Sequence, residues 1–306
     1  VQVPVESQAP SLEALKDQEG ISNQQRNAQK YQYTFLERVE LVDQIQRTVE
    51  EVFGQQGKDI IGHGMSAVTF TPELPAPAAR TQRYTINSLL ERNRDRLLEE
   101  DYLAIGAASD QGTETADSEL WRVGLRLGAL NDVDYGEFFH ELKTVVEPIL
   151  AAYRFRDTFL HQIEQQSVKT GQEDREGYRS PNVFFDGNRI LVVGADPSQP
   201  LADLITEGND PKDLKRLQLT IFARTLNDLL LVKGFSNNRR LPHPLLWIDT
   251  HNPKHEQALA KMKPETWDKY LQRFNHVIVL DDQQLKLASG PSVTLADLKG
   301  TEKQSL

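Results

Sequence analysis

The stretch Glu119–Tyr153, reading ELWRVGLRLGALNDVDYGEFFHELKTVVEPILAAY, constrains the fold more than any other part of the chain. It opens with strand-like alternation: Leu120, Arg122, Leu125 and Leu127 stand among small and polar residues, beside the β-tolerant Trp121 and Val123. It turns through Asn131-Asp132-Val133-Asp134, whose side chains can accept hydrogen bonds from the free N–H groups of a starting helix. Phe138, Leu142, Val145, Val146, Ile149 and Leu150 then recur near a 3.6-residue period, which predicts an amphipathic helix. Asp132, Asp134 and Glu137 fall before and within its first turn, close to Glu141, where carboxylates complement the helix dipole. Capping explains them more simply than acid–base catalysis does.

The rest of the chain extends this mixed pattern. Residues 1–30, rich in Gln, Ser, Glu and Pro, read as a linker or partly disordered segment. Thr34–Phe53 is a helix with the apolar stripe Phe35, Val39, Val42, Ile45, Val49 and Val52, ended by Gly54 and Gly57. Asp59–Gly64 and Ala67–Phe70 read as short extended pieces around a Gly-rich turn. Pro72, Pro75 and Pro77 form a stiff connection. Thr85–Glu100 is a second helix with Ile86, Leu89, Leu90 and Leu97 inward, and Tyr102–Ala107 is a strand. Helices and strands mixed in this way suit a two-layer α+β subdomain over residues 31–168, with helices on one face of an antiparallel sheet.

From about residue 169 the rhythm changes. Arg189–Val193, Leu245–Ile248 and His276–Leu280 are continuous apolar runs, separated by helical patterns at Asp210–Val232 and Pro264–Phe274. Strands apolar on both faces require a parallel, doubly covered sheet. Residues 169–299 are therefore expected to hold a small three-stranded α/β unit of flavodoxin- or Rossmann-like type, and 300–306 a loose tail.

Composition narrows the function classes. The chain has 306 residues, enough for one large domain or two ordinary ones, and 38% hydrophobic with 26% charged residues is a globular balance. A formal charge of −10 argues against nucleic acid as a partner, because phosphate binding needs a concentrated basic surface. Arg239-Arg240 alone does not make one. Cysteine is absent, so thiolate chemistry, disulfides and Cys-ligated zinc are excluded. No run approaches the ~20 apolar residues of a membrane-spanning helix, and the start lacks a secretion-signal pattern. Val1 in place of Met points to a processed or trimmed chain.

Three constellations could carry chemistry. In a doubly wound sheet ligands sit at the carboxyl ends of the strands, which here bring Asp196, Asp249 and Asp281. Together they could hold Mg²⁺ or orient a polar ligand. Each could equally stabilise a turn, which needs one residue where an ion site needs three to converge. His63, between glycines and near Ser66, suggests a hydrolase, but Ser66 lacks the G-x-S-x-G context of a nucleophile elbow. His251 and His255 have metal-ligand spacing, yet Pro253 lies between them and no third ligand is near. Val193-Gly194-Ala195-Asp196 carries one glycine, not the G-x-G-x-x-G of a dinucleotide site. No cofactor and no catalytic residue is assigned.

The segment ELWRVGLRLGALNDVDYGEFFHELKTVVEPIL resembles the part that closes the first large extracytoplasmic loop of some bacterial RND-superfamily (MMPL-type) exporters. Residues 34–70, with Leu36-Glu37-Arg38-Val39 and Met65-Ser66-Ala67-Val68-Thr69-Phe70, resemble the start of the same loop. Residues 189–193 and 245–281 resemble an α/β segment near its end, so the likeness runs from about Thr34 to Asp282. It implies a porter-like α+β subdomain, a cell-membrane protein with this part periplasmic, and transmembrane helices lying outside this sequence. It further implies a substrate-path or docking role rather than catalysis, a hydrophobic or lipid-like substrate, and a homo-oligomer. The alternatives are a stand-alone module binding a small ligand or Mg²⁺ at the three aspartates, and a Ser/His hydrolase.

Overall fold

The 3.6-residue stripe beginning at Phe35 becomes the best-packed helix of a first unit, formed by Val1–Gln55 and Asp59–Asp132; Gln56–Lys58 and Val133–Leu306 form a second. The computed structural model describes residues 2–4, 33–105, 118–128, 133–169, 188–205, 211–237, 244–252, 254, 257, 261 and 263–280. The described residues are mixed helix and sheet, with two small antiparallel sheets and one three-stranded parallel sheet among them.

In the first unit, β1 (Gln2–Pro4) is followed by α1 (Phe35–Phe53). Thr34 caps α1 reciprocally: its hydroxyl oxygen accepts from the Glu37 N–H at 3.2 Å, and the Glu37 carboxylate accepts from the Thr34 N–H at 3.0 Å. All six expected stripe residues are buried. The Gly-rich turn expected next is instead continuous strand, β2 (Ile61–Ser66), and Ala67–Phe70 is a 3₁₀ turn rather than extended. The reason is pairing: β2 runs antiparallel to β5 (Val123–Leu127), with an irregularity between Ile61 and Gly64 that the glycines absorb.

The single helix expected over Thr85–Glu100 is two, α2 (Arg80–Arg92) and α3 (Arg94–Glu99). Asn93 breaks it, its side-chain amide donating to the Leu89 carbonyl at 2.8 Å in competition with the helix ladder. Leu90 and Leu97 are buried as expected, whereas Leu89 is exposed. The alternating run after Glu119 also divides. β3 (Leu103–Ile105) and β1 flank β4 (Ser118–Trp121), while β5 belongs to the other sheet, and Arg122 between them bonds its N–H to the Tyr102 carbonyl. Gln2–Pro4, expected within a linker, thus forms an edge strand. The core lies between α1 and this sheet, where Phe35 meets Trp121 at 5.6 Å.

The second unit begins with α4 (Tyr135–Lys169), the helix of the organising stretch extended to 35 residues. β6 (Ile190–Val193), α5 (Pro211–Val232), β7 (Leu245–Ile248), α6 (Pro264–Leu271) and β8 (His276–Val279) follow. The sheet is parallel, as its two-sided apolar strands demand, in the order β7-β6-β8. Ile190, Leu191 and Val192 of the central strand are fully buried. The sequence groups α4 with the first part, up to residue 168, yet its apolar face packs in this second core. Phe155 meets Phe222 edge-on at 5.8 Å, and Phe159 meets His276 at 5.4 Å. Among the described residues no helix is long and apolar enough to cross a membrane.

Candidate functional site

At the carboxyl ends of the parallel strands, Gly194 leaves β6 at φ +140°, a conformation that side-chain-bearing residues rarely adopt. A Cβ there would lie 2.6 Å from the Leu280 carbonyl oxygen, so only glycine lets the ends of β6 and β8 close together. Asp196 follows two residues later. Its Oδ1 accepts from the Ser198 N–H at 2.8 Å and the Ser198 hydroxyl at 2.6 Å, an Asx turn. Asp249, after β7, is nearly buried and its Oδ1 accepts from the His251 N–H at 2.8 Å, with His251 Nδ1 at 3.4 Å. Between them the Thr250 hydroxyl donates to the Gly194 carbonyl at 3.1 Å. Both described aspartates thus shape their own turns. Asp281 lies outside the described residues, as do Asp132, Arg239, Arg240, Pro253 and His255. Among the described residues no group of three acidic, histidine or cysteine side chains could hold a metal ion.

The structure does not bring Ser66 and His63 together. β2 turns Ser66 inward, fully buried, and His63 outward, with its side chain 65% exposed. The Ser66 hydroxyl donates to Gln46 Oε1 at 2.6 Å and accepts from the Val68 N–H. The imidazole Nδ1 is 2.9 Å from Glu50 Oε1, which also accepts from the Gly64 N–H at 2.7 Å. Gln46 completes the junction by donating to the Gly64 carbonyl at 3.0 Å. A hydroxyl whose proton is held by an amide oxygen has no base to make it a nucleophile. These groups dock α1 on β2.

Of the acidic residues before α4, Asp134 caps the helix as expected. Asp134 Oδ1 accepts from the N–H groups of Gly136 at 2.7 Å and Glu137 at 3.2 Å.

A buried charged cluster in the first unit escaped the sequence. Glu119 is 1% exposed and accepts from Arg94 at 3.1 Å and from the Trp121 indole at 3.1 Å, with Arg38 Nε 3.4 Å away. Burial pulls the Arg38 guanidinium below its ordinary value while Glu119 pulls it back up. The Arg38 head also lies 5.1 Å over the Phe35 ring. The available signal was position: Glu119 shares a strand face with Trp121, two residues on.

Set against protein-family models, curated proteins and solved structures, the chain matches none of them.

Proposed function

We propose that this chain is the extracytoplasmic part of an RND-superfamily, MMPL-type exporter, where it lines a substrate path or offers a docking surface rather than running a reaction. The observation that carries this reading is the segment Glu119–Leu150, whose residues resemble the close of the first large loop in such exporters. The use of the polar side chains supports it. Ser66, Glu119, Asp134, Asp196 and Asp249 are each engaged in caps, turns or core ion pairs, which is how a scaffold spends such groups. The helix-on-antiparallel-sheet build of the first unit suits a porter-like subdomain. The order β7-β6-β8, with the first strand central, suits the flavodoxin-like unit expected of the second. On this reading the partners are transmembrane helices encoded in the same reading frame.

Topology tests it. The chain lacks cysteine, so Gln82→Cys on exposed α2 gives this chain a single thiol. Expressed from the full reading frame in intact bacterial cells, it should react with a membrane-impermeant maleimide and fractionate with the membrane. A thiol protected until the cells are lysed would overturn the proposal.

A further inference from the structure

We draw no further inference here: the strongest candidate, the exposed aromatic pair Tyr135 and Phe139 on the first turns of α4 in the second unit, is an unpartnered apolar face, and nothing in the structure shows what covers it.

Discussion

Glu119 shows how one residue can hold a core together at a cost. A buried carboxylate gives up its hydration, and only the two arginines and the Trp121 indole make the exchange tolerable. Glu119→Gln keeps the shape but removes the buried charge that Arg38 and Arg94 share. We expect a loss on the order of 3 kcal/mol in urea unfolding, and an unchanged midpoint would show that the cluster is not coupled to folding. Glu40 and Asp43 on α1 are the pH-sensitive counterparts. Burial pushes the Glu40 carboxyl above its ordinary 4.5, against the pull of Arg83, and burial likewise raises Asp43 above 3.8. A folded value above the unfolded one means that the native state binds the proton more tightly. The stability contribution of such a group therefore grows as pH falls through the folded value toward 4.5, and shrinks as pH rises. Glu40→Gln cannot titrate, so wild type should gain on this variant as the pH of the melts is lowered from about 7 toward 4.5. The opposite slope would mean that the pull of Arg83 outweighs the desolvation of Glu40. Glu119 was easy to miss in the sequence because a charged residue on a strand reads as solvent-facing, and only its shared face with Trp121 pointed inward. Asp134, Asp196 and Asp249 were legible as turn and cap formers because their partners lie within three residues.

Among the elements, α4 carries a local defect that its neighbour repairs. Pro148 sits inside the helix and has no N–H, so the carbonyl of Thr144, four residues earlier, loses its ladder partner. Gln218 of α5 supplies one instead, donating from Nε2 to that carbonyl at 3.3 Å. Gln218→Leu should therefore cost about 1 kcal/mol in wild type. In the Pro148→Ala background, where residue 148 regains its N–H, the same change should cost clearly less; equal costs in a double-mutant cycle would refute the link. Helix α1 and the three parallel strands were readable because their signals are local: an apolar stripe ended by glycines, and runs apolar on both faces. The division of the run after Glu119 between two sheets was not. Its register is set by Leu103 opposite Trp121 and Met65 opposite Gly124, pairings that no property of the run itself encodes. The break at Asn93 was local but subtle, since one side-chain amide bonding back to Leu89 competes with an otherwise sound helical pattern.

At the scale of the whole chain, where the second unit begins follows from the allegiance of α4. The hydrophobic rhythm changes near residue 169, which is why the sequence places a boundary there, but the break between cores falls at Asp132 and Val133. Phe155 and Phe159 are the reason: their rings meet Phe222 of α5 and His276 of β8, so α4 packs against a helix and a strand of this unit. A parallel sheet needs its faces covered, and α4, packed beside α5 and against β8, contributes to that cover. A fragment spanning 133–306, roughly 170 residues and large enough to bury its own core, should melt in one cooperative transition with a mixed helix–sheet circular dichroism spectrum. The fragment 169–306 lacks α4 and leaves Phe222 and His276 uncovered. It should lose near-ultraviolet signal, bind hydrophobic dye and melt without cooperativity. If the shorter fragment instead folds as cooperatively as the longer, the change of rhythm marks the true boundary and α4 packs on the second core without being needed for it.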